Sequence, residues 1–211
     1  LADFFSGTGS AVIAALENQI RPVFSNDSCR NSKRIFLENF SLVFNSSDIY
    51  DIKITEVPRH NIIIGGFPCQ PFSIAGDKKG FDDPRSNVFW ELFRIVQYTR
   101  PRFVILENVK NLKSIDNGHI LKTFITSLNQ LNYFTEVRIL DVAKITGIPQ
   151  RRERLFIFCF INEHDYKAFD FEFPVVKKRK LLSFFDLRVS EKYYITEKSK
   201  IYEKLNKNVI N

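Results

Sequence analysis

Strand-like and helix-like segments alternate from residue 1 to about residue 160, and a chain in that order buries its strands most readily as a mostly parallel sheet between two layers of helices. The pattern predicts strands ending at the turn after Phe4, at 22–25, near 49–52, at 61–64 and at 103–106, with two closing strands at 133–140 and 155–160. Helices are expected at 10–18, from a cap at Asn26-Asp27-Ser28 to about residue 40, at 87–99 and at 120–131. Residues 67–86 are rich in Gly, Pro, Asp and Lys and read as a long loop, a length that usually signals function. The fold class expected is α/β, a doubly wound Rossmann-like sheet with helices on both faces. At 211 residues there is room for one sizeable core plus an appendage, divided here as a domain over 1–173 and a basic tail over 174–211.

The formal charge of +7 is unevenly spread, because residues 174–211 hold ten Lys or Arg against four Asp or Glu. Lys177, Lys178, Arg179 and Lys180 therefore read either as a contact for phosphates, favoured by counterion release, or as a solvated charge run. No apolar run reaches the length a membrane helix needs. Three cysteines, at 29, 69 and 159, suggest neither a disulfide framework nor a zinc site, and a reducing cytoplasmic setting is the expectation. The chain has no Met, and Leu1-Ala2 directly precedes a strand-ending motif, so further sequence upstream is expected.

Gly7 and Gly9 stand where a strand-to-helix turn lets a nucleotide approach bare backbone. Asp27 follows Gly7 by twenty residues, the separation from which a carboxylate at the end of a second strand accepts ribose hydroxyls. A tight turn with a helix cap is the alternative. Both a dinucleotide and S-adenosylmethionine suit this half-fold. Val12 occupies the third glycine position of a dinucleotide fingerprint and argues against NAD, while Asp51 is placed to accept from an adenine amino group. Cys69, flanked by Pro68 and Pro71, opens the long loop at the carboxyl edge of the sheet, where exposure favours chemistry over packing. Cys159 reads as a buried small hydrophobe, and Cys29 in the second helix likewise. His60, His119 and His164 form no recognisable Cys-His signature.

Four segments in order give the chain a family resemblance: Asp3-Phe4-Phe5-Ser6-Gly7-Thr8-Gly9, Gly66-Phe67-Pro68-Cys69-Gln70-Pro71-Phe72-Ser73, Glu107-Asn108-Val109 and Gly147-Ile148-Pro149-Gln150-Arg151-Arg152-Glu153-Arg154. Over residues 3 to about 160 the chain resembles the cytosine-5 DNA methyltransferases of the bacterial modification type. The resemblance implies S-adenosylmethionine as cofactor, held by Phe5, Ser6, Gly7, Gly9, Asp27, Asp51, Ile52 and Pro68, with Phe5 against the adenine. It implies that Cys69 attacks C6 of cytosine, that Glu107 hydrogen-bonds N3, and that Arg152 and Arg154, two apart and so on one face, hold the base and the loop. Duplex DNA would be the substrate, with the base flipped out and Gln70, Ser73, Lys78, Lys79 and Arg85 closing over it around Gly76 and Gly80.

Departures are Ser10 for a common glycine and Ser28 where an aromatic ring is frequent. No target-recognition domain or Gly-Asn-Ser segment follows residue 160. The resemblance therefore implies a fragment, or one subunit of a split enzyme with a complementary polypeptide as partner. Rival readings are a tRNA cytosine-5 methyltransferase, an inactive DNA-binding subunit keeping the fold, and a nicotinamide-dependent dehydrogenase.

Overall fold

The computed structural model describes residues 1–68, 88–186 and 188–190. Seven strands form one sheet: β1 (Ala2–Phe4), β2 (Phe24–Asn26), β3 (Phe44–Asn45), β4 (Ile62–Gly65), β5 (Phe103–Val109), β6 (Phe134–Asp141) and β7 (Glu153–Phe160). Their lateral order is β3-β2-β1-β4-β5-β7-β6. Strands β1 to β5 are mutually parallel, and β7 runs antiparallel to both of its neighbours. The chain first winds outward from β1 to β3, then returns to the other side of β1. Right-handed crossovers therefore put helices α1 (Ser10–Glu17) and α2 (Arg30–Asn39) on one face, and α3 (Val88–Thr99) and α4 (His119–Gln130) on the other.

The two layers are unequal. On α3, Phe89, Leu92, Ile95 and Val96 recur at helical spacing, and Ile120, Leu121, Phe124 and Leu128 do the same on α4. Both stripes bury against Phe4, Phe24, Ile63, Val104 and Leu106 of the sheet in one core. Each such side chain removed from water contributes roughly 1.5–3 kcal/mol. The β1–β4–β5 centre is therefore the part of the molecule best held in place, and the site stands on its carboxyl end.

β7 explains its own apolar run, because both of its faces are covered. Leu155, Ile157 and Cys159 point into the core, while Phe158 on the other face meets Phe169, Phe171 and Phe173, with ring centroids 5.8, 6.0 and 5.9 Å away. Periodicity locates this strand but not its direction.

Three local expectations are corrected. The third strand is Phe44–Asn45, and Ile49–Asp51 is instead a 3-10 turn, begun by the Asp48 carboxylate accepting from the Tyr50 N–H at 3.3 Å. Ile49 and Ile52, three apart, bury together as a turn requires. The second helix starts at Arg30 rather than at an Asn26-Asp27-Ser28 cap, because the Asp27 carboxylate is engaged elsewhere. Cys29 consequently lies exposed before the helix instead of buried in it. Two short helices, α5 (Val142–Thr146) and α6 (Glu163–Ala168), had no clear sequence signal. Among the described residues no helix is long and apolar enough to cross a membrane.

Candidate active site

The lateral order reverses between β1 and β4, and in such sheets the crevice outside the carboxyl ends at that point receives ligands. On the β1 side the backbone from Phe5 to Gly9 turns through three left-handed residues, Phe5 (φ 58), Gly7 (φ 54) and Gly9 (φ 97). Two bonds fasten this turn to β2: the Ser6 N–H donates to the Asn26 carbonyl at 2.9 Å, and the Asn26 N–H donates to Ser6 Oγ at 3.0 Å. Asp27 completes the join. Its Oδ2 accepts from the Gly7 N–H at 2.9 Å and its Oδ1 from the Cys29 N–H at 2.8 Å.

The two glycines serve different ends. A Cβ on Gly9 would run into the Phe40 ring, so this glycine lets α1 close on α2. A Cβ on Gly7 would meet nothing within 4 Å. The space above Gly7 is open, as a cofactor cradle requires.

Asp3, central in β1, opens the first sequence motif, yet no role for it follows from the sequence. It is 2% exposed, and its Oδ2 has no hydrogen-bond partner among the described residues. Burial pushes its carboxyl up to about 7, the Ser6 hydroxyl pulls the other way, and the charge of Asp27 adds to the rise. A buried acceptor without a donor calls for a partner, and a ligand over the open turn beside it would supply one. Open space over Gly7, spare lone pairs on Asp27 and the unpaired oxygen of Asp3 together fit a polar adenosine cofactor carrying a cationic end. Asp51 is exposed and Ile52 buried in the turn after β3 along the same edge, where Asn26 Nδ2 donates to the Ser47 carbonyl at 2.9 Å. Phe5 is half-buried.

On the β4 side, the chain leaves Gly65 for Gly66, buried Phe67 and exposed Pro68. Asn108 is 3% exposed, and its side-chain amide donates to the Phe67 carbonyl at 3.0 Å. That bond fixes the backbone two residues before Cys69. The only sequence signal for it is a polar residue in the inward register of a buried strand. Glu107, one position earlier and on the opposite face, directs Oε2 toward Gly66, 3.5 Å from where a Cβ there would lie. Its Oε1 binds Arg154 Nε at 2.9 Å. The register explains the pair: Val109 of β5 lies opposite Arg154 and Glu107 opposite Phe156, so the two side chains are diagonal neighbours on one face.

Arg152 does not join them. Arg152 directly precedes β7, which begins at Glu153, and is exposed. Its carbonyl instead accepts from the Val142 N–H at 3.0 Å. Cys69, Gln70, Ser73, Lys78, Lys79 and Arg85 lie outside the described residues, as does most of the expected 67–86 loop.

Fold and site together define a Rossmann-like α/β protein of the S-adenosylmethionine-dependent methyltransferase class. The family described as C-5 cytosine-specific DNA methylase matches residues 1–211, and the chain belongs to that family. Enzymes of that family are S-adenosylmethionine-dependent. The chain is 36% identical over 172 residues to the type II methyltransferase M.HhaI of Haemophilus parahaemolyticus, covering 82% of this chain and 52% of that protein. It is 35% identical to M1.ScrFI of Lactococcus lactis subsp. cremoris, covering 94% and 51%. With M.Bsp6I of Bacillus sp. the identity is 31%, over 99% of this chain and 68% of the relative. The chain thus spans about half the length of the first two relatives. Among solved structures, Entamoeba histolytica EhMeth superposes with a TM-score of 0.76 at 24% identity, covering 92% of this chain and 62% of that one. A Spodoptera frugiperda DNMT2 variant gives 0.73 at 22% identity, over 93% and 62%. At that identity the two structures speak for the fold alone.

Proposed function

We propose that this chain is the catalytic and cofactor-binding part of an enzyme that methylates C5 of a flipped-out cytosine in duplex DNA. The observation that carries the reading is the Glu107–Arg154 pair, held at the carboxyl edge beside Gly66 and so at the start of the segment that carries Cys69. Cytosine C5 is a poor nucleophile until a thiolate adds at C6, which moves the C5–C6 electron pair toward C5 and leaves charge spread toward N3. Cys69 supplies the thiolate. Glu107 hydrogen-bonds N3 and stabilises that charge, and Arg154 holds the Glu107 carboxyl in position through Oε1 while leaving Oε2 toward the crevice. The bound cofactor supplies an electrophilic methyl on a sulfonium. Loss of the C5 proton then expels the thiolate and restores the aromatic ring.

The cofactor lies in this reading over Gly7, with Asp27 accepting from its ribose and Asp3 facing its ammonium. Asp51 and Ile52 border the adenine, and Phe5 and Pro68 line the same edge. Target recognition falls, in this reading, to sequence outside this chain, on the same or a complementary polypeptide; two of its relatives are about twice its length.

Labelled methyl transfer to duplex DNA and to tRNA, with the target-recognising part present, tests the substrate. Label in DNA supports the reading, and label in tRNA alone replaces it. Glu107→Gln is expected to slow transfer to DNA by about 10²–10⁴-fold, with duplex affinity unchanged. An equal loss of affinity would make Glu107 a binding group instead.

A further inference from the structure

The basic run of the tail is not loosely solvated chain. Three backbone bonds stitch together three passes of the polypeptide: the Val142 N–H donates to the Arg152 carbonyl at 3.0 Å, the Val176 N–H to the Lys144 carbonyl at 2.7 Å, and the Arg179 N–H to the Gly147 carbonyl at 2.8 Å. Gly147, buried at φ 73, makes the last join possible. A Cβ there would lie 2.7 Å from the Lys177 carbonyl oxygen.

The stitched ledge carries Lys144, Arg151, Arg152, Lys177, Lys178, Arg179 and Lys180, all exposed. Opposing charge is scarce. The Asp141 carboxylate caps α5 by accepting from the Ala143 N–H at 3.1 Å, and Glu153 is held by Lys110 at 2.9 Å, with Arg151 only at 3.9 Å. No acid occurs from residue 173 to residue 185. Arg179 lies over the Phe184 ring at 4.2 Å, which steadies the far end.

The place of the ledge in the fold gives this charge a use. Arg154 at the start of β7 lies opposite both Val109 of β5 and Leu140 of β6, so α5 and the 176–179 segment stand on the same carboxyl edge as Gly65 and Gly66. Arg152 is two residues from the arginine that holds Glu107.

We propose that this ledge is a phosphate-binding platform that receives the DNA backbone flanking the target cytosine, a role that rests on the DNA reading above. A small anion uses one or two cations. A polyanion engages several at once, and each phosphate neutralised releases counterions, so a row of cations pinned by backbone bonds suits a nucleic-acid strand. Such contacts set register on the duplex without reading bases.

Binding of a labelled duplex is measured by anisotropy across roughly 50–200 mM salt. The wild type is compared with the triple variant Lys177→Gln, Lys178→Gln, Lys180→Gln and with a control triple, Arg21→Gln, Lys122→Gln, Lys167→Gln. The ledge variant is expected to flatten the salt slope by about 2 to 3, at about 0.9 for each phosphate no longer neutralised, and to weaken low-salt binding at least tenfold. The control should keep the wild-type slope. Equal slopes for wild type and ledge variant overturn the proposal. So does a ledge variant that loses binding to phosphatidylserine vesicles while its duplex binding is unchanged. If the ledge slope falls but label goes only to tRNA, the platform is a nucleic-acid surface and only the choice of DNA fails.

Discussion

Cys69→Ala, given duplex DNA containing 5-fluorocytosine and the methyl donor, is expected to form no covalent protein–DNA complex, and its transfer to ordinary DNA to fall by roughly ten-thousand-fold or more. The wild type should form the complex, because fluorine at C5 cannot leave as a proton does and the thiol is then never eliminated. Cys69 is the proposed nucleophile because of what surrounds its segment. Asn108 pins the Phe67 carbonyl two residues before it, and Glu107 stands at Gly66. The chain supplies its own controls. Cys29 is exposed, and hydrogen bonds from Ser32 lead the causes that hold its thiol below the usual range, so of the two described cysteines Cys29 is the one open to side reactions. Cys159 is fully buried among apolar groups, which pushes its thiol well above the usual range. Cys29→Ala should leave the fluorocytosine complex intact. A complex that persists in Cys69→Ala and disappears in Cys29→Ala would move the nucleophile to the turn after β2.

Glycines and carboxylates at fixed separations were legible in the sequence because the turn they build is local. Gly7 and Asp27, twenty residues apart, are joined by a direct hydrogen bond, and one helix and one short strand between them return the chain to that point. The family resemblance named Glu107 and Arg154 separately, and their contact appears only in the structure. No periodicity announces that β7 inserts between β5 and β6, and an antiparallel register is what makes these side chains diagonal neighbours. At 49–52 a short apolar run looked like a strand, although Ile49 and Ile52 are three apart and Asp48 is a turn-starting residue. The roles of Asp3 and Asn108 were missed because each is a polar side chain whose partner, or lack of one, is visible only in three dimensions. The basic run at 177–180 had two readings, and only its backbone bonds to α5 distinguish a ledge from a solvated tail.

Asp3→Asn is expected to raise stability at neutral and alkaline pH, with the difference from wild type growing between about pH 4 and about pH 7 and level above that. The folded-state carboxyl sits at about 7 against an ordinary value of 3.8. Between those values the folded chain keeps a proton that the unfolded chain has released, so stability falls with rising pH at about 1.4 kcal/mol per unit. The contribution is fully present below the unfolded value and gone once pH passes the folded one, a total of about 4 kcal/mol. Denaturant unfolding of both proteins from acid to mildly alkaline pH reads this directly. Asn keeps the size and removes the titration, so its curve should lack the extra slope. Parallel curves would mean that Asp3 does not titrate across this range. Saturating S-adenosylmethionine offers a further check, because an ammonium against Oδ2 favours the ionised carboxylate and should remove most of the wild-type slope. A slope that survives saturation would place the cofactor's cationic end away from Asp3. The unpaired oxygen in β1 would then be a cost to folding with no ligand to offset it.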